Sequence, residues 1–107
     1  MKIYVSGPIT GLPHEQAWMN FKSAEEHLIE EGYDVVNPFN NGLDPDDPWE
    51  AHMKADIKLL MGCDAIYILS NWKESEGARI EIALAIALGY HIMKQETSHL
   101  IRRKEAL

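Results

Sequence analysis

The sequence predicts an α/β fold of three layers, with a parallel sheet of four to five strands between helices. Three observations predict it. Short β-branched or apolar runs alternate with helix-period segments along the chain. A strand, a helix and a second strand fit within the first 36 residues, as a right-handed βαβ unit requires. The run DAIYILS, residues 64–70, is almost continuously apolar, the pattern of a strand covered on both faces.

The elements follow in order. KIYVS, residues 2–6, is a first buried strand stopped by Gly7-Pro8. The next five residues, GPITG, form a loop with glycine at both ends, neither a dinucleotide fingerprint nor a P-loop. Alone it is a tight strand-to-helix turn; its place after a first strand also suits a ligand, because open α/β sheets bind at their carboxyl edge. Over residues 14–31 the apolar Ala17, Phe21, Ala24 and Leu28 recur at helical spacing, with Pro13 at the first turn and Gly32 past the end. Residues 33–36, YDVV, make the second strand.

Residues 37–48, NPFNNGLDPDDP, are a long loop, either solvated or a lid over a site. Its Asp44, Asp46 and Asp47 lack the glycine and terminal glutamate of a calcium loop, so no metal is expected there. A helix over 48–61 aligns Trp49, Met53, Asp56 and Leu60 on one face, which puts Asp56 among apolar neighbours. The alternative for Asp56 is a helix edge, in water or paired with Lys54 or Lys58. After the strand at 64–70 comes NWKESEGARIEIALAIALG, residues 71–89. From 80 to 88 this stretch is apolar except at Glu81, which predicts a helix buried on most sides with one costly carboxylate. Residues 91–93 fit a fourth strand, and 97–107 a terminal helix or frayed end with room for one more short strand. The whole is flavodoxin-like.

Composition narrows the function. At 107 residues, 46% hydrophobic and 25% charged, the chain reads as one soluble globular domain spanning 1–107. A net charge of −7 argues against nucleic acid or an anionic membrane as partner, since both need a cationic face. Backbone N–H groups can still hold a small phosphate. Cys63 is the only cysteine, which rules out an intrachain disulfide. With no signal-peptide pattern and no membrane-length run, the expected location is the cytoplasm.

In a sheet of this kind Tyr4 and GPITG come from the first strand–helix corner, and Ser75 and Glu81 from the third. Asp56 approaches from the helix leading into the third strand. A semi-buried carboxylate can attack an anomeric carbon and form a glycosyl ester, while a second handles a proton or holds sugar hydroxyls. Ser75 suits a helix N-cap; with the N–H groups of Glu76 and Gly77 it also suits an anion. For Glu81 the competing account is an ion pair with Arg79, Lys94 or another chain, although a spacing of two on a helix points Arg79 away.

The blocks KIYVSGPITG, GYDVVNP, DIKLLMGCDAIYILSNW and SEGARIEIALAIALG, in this order over residues 2–93, resemble the nucleoside 2-deoxyribosyltransferase-like superfamily. The likeness is greatest to its small bacterial and phage branch. Its most specific part is the W-x-x-S-x-G-x-x-x-E pattern of Trp72, Ser75, Gly77 and Glu81. The resemblance implies Glu81 as nucleophile, Asp56 as its assistant and Tyr4 lining the site. It implies substrate contacts from Ser6, Gly7, Pro8, Ile9, Thr10, Gly11, Ser75 and Gly77. Members that hydrolyse deoxynucleoside 5′-monophosphates carry a loop like GPITG and a serine at the position of Ser75, so the chain looks closer to them than to the transferases. Thr10 departs from them, standing where their loop has a basic residue. No cofactor is implied; the partner is a small nucleoside or nucleotide, and a homo-oligomer completes the site. The expected activity is cleavage or exchange of an N-glycosidic bond. The alternatives are a non-catalytic module binding a nucleotide or an ADP-ribose-like ligand, and an interaction protein with a relic Glu81.

Overall fold

Strand β1, Lys2–Ser6, feeds two cores at once, because successive side chains of a strand point to opposite faces. In the computed structural model, which describes residues 1–95, Ile3 and Val5 join Phe21, Ala24 and Leu28 of helix α1, His14–Glu30, on one face of the sheet. Tyr4 joins the other core, made with Leu60 of α2, Trp49–Met61, and Ala78, Ile82 and Ala85 of α3, Glu76–Ala87. The central strand β3, Ala65–Ile68, divides in the same way, Ala65 and Tyr67 towards α1, Ile66 and Ile68 towards α2 and α3. Three layers result.

With β2, Asp34–Val36, and β4, His91–Lys94, the sheet runs in the order β2-β1-β3-β4, all neighbours parallel. The chain winds outwards from β1 to β2, then from β3 to β4. The carboxyl ends of β1 and β3 are therefore the switch point at which such sheets leave a crevice. This is the flavodoxin-like architecture expected. Short 3-10 turns at Pro38–Asn40 and Trp72–Glu74 fall inside segments expected as plain loop and helix start. The terminal helix or fifth strand expected over 97–107 lies outside the described residues. Among the described residues no helix is long and apolar enough to cross a membrane.

Two expectations need correction. Helix α3 is not buried on most sides: Ala78, Glu81, Ile82 and Ala85 are buried, but Ile80 and Leu88 are exposed and Ile86 is 61% exposed. It packs on the sheet and α2 with one side only, and unbroken apolarity does not mark which side. Trp49 is 45% exposed, unlike Met53, Asp56 and Leu60 on the same stripe, and stands at the cavity described below.

Gly7 fixes how closely the end of β1 approaches the segment after β3. A Cβ there would lie 2.6–2.8 Å from three Leu69 side-chain atoms, in a fully packed region. Gly7→Ala is expected to cost about 1–3 kcal/mol, the usual range for overpacking. Urea unfolding measures it, and an unchanged midpoint would show that Leu69 has room to move.

Candidate active site

The period of β1 brings Tyr4 and Ser6 to the same face, and the buried side of α3 brings Glu81 to meet them. Tyr4 Oη donates to Glu81 Oε2 at 2.8 Å, and Ser6 Oγ donates to Oε1 at 2.7 Å. Tyr4 and Ser6 are fully buried and Glu81 is 5% exposed. Helix α3 starts where it does because the Ser75 hydroxyl accepts from the Ala78 N–H at 3.1 Å, an N-cap that sets the phase of the helix and hence the aim of Glu81. Asp56, 7% exposed on α2, accepts from Asn41 Nδ2 at 2.8 Å instead of pairing with a lysine.

Burial dominates the electrostatics. It pushes the Glu81 carboxyl up from 4.5 to about 7; the Ser6 and Tyr4 hydroxyls pull it back, and the Asp56 charge raises it further. Burial also raises Asp56, against the lowering effect of its Asn41 hydrogen bond. Burial, then the charges of Glu81 and Asp56, holds the Tyr4 phenol well above its usual range, so it remains a donor. The result is a carboxylate with both oxygens anchored, close to half-ionised at neutral pH and poorly hydrated. Each oxygen keeps a second lone pair for another partner.

A cavity of about 260 Å³ opens over Glu81 and Asp56. It is near the lower end of small-molecule pockets, which start at roughly 300 Å³. Gly7, Ile9, Thr10, Ser75 and Gly77 line it, as does Ala78. Gly77 lets α3 approach α2, since a Cβ there would stand 3.0 Å from Met53 Sδ. The 37–48 loop forms the opposite wall through Phe39, Asn41 and Leu43. Its Phe39 ring meets Phe21 edge-on at 5.2 Å, and Asn37 ties back to Glu25 at 3.2 Å. The loop aspartates serve turns: Asp47 Oδ2 accepts from the Asp44 N–H and Asp44 Oδ1 from the Asp46 N–H.

Some residues expected against substrate stand elsewhere. Tyr4 and Ser6 lie behind Glu81, outside the cavity lining, so Ser6 holds the carboxylate where a substrate contact was expected. Pro8 is buried away from the cavity, and Gly11, at φ +93°, sits in the exposed turn before α1. The sequence reading missed Asn41, His52, His14 and Phe39. For His52 a signal existed, since it is one helical turn before Asp56. For Asn41 there was none, since loop conformation is not periodic.

No curated protein sequence matches the chain. Among solved structures, a 2-deoxyribosyltransferase from the psychrotolerant bacterium Bacillus psychrosaccharolyticus is similar in fold, with a TM-score of 0.68. The two are 24% identical, and the match covers 88% of this chain and 71% of that one. The fold expected from the sequence resemblance is thus the fold found. Residues 1–94 match the model of a family described as a domain of unknown function, DUF4406, and the chain belongs to that family.

Proposed function

We propose that the protein cleaves or exchanges the N-glycosidic bond of a (deoxy)nucleoside, with Glu81 as the nucleophile. The observation that carries this reading is the buried Glu81 carboxylate, fixed at both oxygens and facing a small-molecule cavity beside a second carboxylate. A Glu81 oxygen attacks C1′; the C1′–N bond breaks, and its electron pair leaves with the base. Asp56 supplies the proton taken up by the departing base, for which its raised pKa suits it, or holds the sugar hydroxyls. Water or a second base, giving up its proton to Asp56, then displaces the Glu81 carboxylate from C1′, so configuration is retained overall. Tyr4 and Ser6 keep the carboxylate plane fixed through both steps. The fold shared with a 2-deoxyribosyltransferase supports the reading.

We infer from the cavity lining that a nucleoside is preferred to its 5′-monophosphate. Among its described residues it carries Asp47, Asp56 and Glu81 but no lysine or arginine. A phosphate dianion would meet those three carboxyl groups there, with backbone N–H groups at the start of α3, neutral side-chain donors and the His14 and His52 rings, but no permanent cation, to offset them. We also infer from the sequence resemblance that a homo-oligomer completes the site.

The experiment incubates the protein with the four deoxynucleosides and the four corresponding monophosphates, with and without a second free base. Chromatography then follows released and exchanged base. Release that is faster from nucleosides is the expected result. Saturable binding with no release from any of the eight would make this a binding protein and end the enzymatic reading.

A further inference from the structure

We propose that Asn41 and His52 are positioning residues for Asp56, fastening the 37–48 loop to α2 and presenting Asp56 Oδ2 to the cavity. This rests on the reading of Asp56 as a working group of the site.

The hydrogen-bond roles follow from one fixed donor. The Leu43 backbone N–H can only donate, and it meets Asn41 Oδ1 at 3.0 Å. Asn41 therefore turns its amide nitrogen the other way, where Nδ2 reaches Asp56 Oδ1 at 2.8 Å and His52 Nδ1 at 3.1 Å. Nδ2 has hydrogens and no acceptor capacity, so His52 Nδ1 must accept. The imidazole proton then sits on Nε2, 2.9 Å from the Asp44 carbonyl, to which it donates. Every polar atom of the Asn41 side chain is used. One chain of bonds runs from the loop backbone at Leu43, through Asn41, to Asp56 and His52, and back to the loop at Asp44.

Two consequences follow for the site. His52 and Asp56 lie one turn apart on α2, so a single loop amide bridges them and locks the loop wall to the helix that carries the carboxylate. Among the described residues only Oδ1 of Asp56 has a hydrogen-bond partner, which leaves Oδ2 for a bound molecule. A second proton on His52 would set an N–H against the Asn41 amide and open the chain, so the arrangement belongs to neutral His52. The ionisable groups facing Asp56 are Glu81 and Tyr4 from α3 and β1, His52 from its own helix, and Asp47 and His14 along the cavity wall.

The test compares the full chain with Asn41→Ala, Asn41→Asp, His52→Ala and His52→Gln. Asn41→Asp keeps the acceptor for Leu43 but removes the donor to Asp56, so it separates aim from loop folding. The Asp56 carboxyl is titrated by carbon-detected NMR, and amide hydrogen exchange is followed at Leu43. In Asn41→Ala the Asp56 midpoint is expected to rise by about one pH unit, as loss of a hydrogen bond to a charged group implies, and in Asn41→Asp to rise further, because a second carboxylate then stands beside it. In His52→Ala the Leu43 amide is expected to exchange about tenfold faster, and His52→Gln, which can both accept and donate, restores protection. Where base is released, Asn41→Asp lowers kcat about 10- to 100-fold with a smaller change in KM. An unmoved Asp56 midpoint, or equal exchange in the two His52 variants, overturns the proposal. Absence of base release from the unaltered chain would end the enzymatic reading, while the titration and exchange would still decide the positioning role.

Discussion

Glu81→Gln is expected to abolish base release, by about 10³-fold or more, while the protein stays folded. The substitution keeps the shape of the side chain and its place between the Tyr4 and Ser6 hydroxyls, both of which can reorient to accept from an amide. What it removes is the anionic oxygen that would bond to C1′. Asp56→Asn, which removes only a proton carrier, is expected to lose less, about 10²-fold. The measurement is single-turnover base release with purified variants at matched folded fraction. If Glu81→Gln kept a tenth of the rate, Glu81 would not be the nucleophile, whatever the substrate.

The same variant is expected to be more stable than the unaltered protein at alkaline pH, by up to about 3 kcal/mol. The folded chain holds Glu81 protonated up to about 7, whereas an ordinary carboxyl loses its proton near 4.5. A difference of this size favours the protonated form by roughly 3 kcal/mol, since one pKa unit corresponds to about 1.4 kcal/mol. Between those two pH values the unfolded chain has released the proton and the folded chain has not. The unfolded state binds fewer protons there, so stability falls as pH rises and levels off above about 7. Glutamine has no such slope. Urea unfolding at pH 5 and pH 8 should therefore show the gap between the two proteins widening in favour of Glu81→Gln. Parallel behaviour at the two pH values would mean that Glu81 is already ionised in the folded protein, with its hydroxyl partners outweighing burial. The widening gap would mark a site that sacrifices stability for a reactive, poorly hydrated carboxylate.

The elements were legible wherever one periodic pattern met one environment. Ala17, Phe21, Ala24 and Leu28 of α1 were read from their spacing and are the buried residues of that helix. The strand at 64–70 was read from its apolarity and is the central strand, trimmed to Ala65–Ile68. Where the environment differs along a uniform segment, the pattern failed. Helix α3 is apolar on its exposed side as well, so its sequence predicted burial for Ile86, which faces solvent. The stripe of α2 predicted an inward Trp49, but a stripe does not show which of its residues a neighbour covers.

For the candidate site the division is similar. Strand period, helix period and element order bring Tyr4, Asp56, Ser75 and Glu81 to one edge of a parallel α/β sheet without any loop detail, so that placement was readable from the residues alone. What those groups do to one another depends on how the elements pack. The Ser6 hydroxyl faces Glu81 because β1 and α3 pack in one particular register, and Asn41 reaches Asp56 because an aperiodic loop folds back over α2. The height of the Glu81 pKa is likewise a property of the packed state, since desolvation depends on every neighbour that excludes water, and those neighbours are brought together only by the fold.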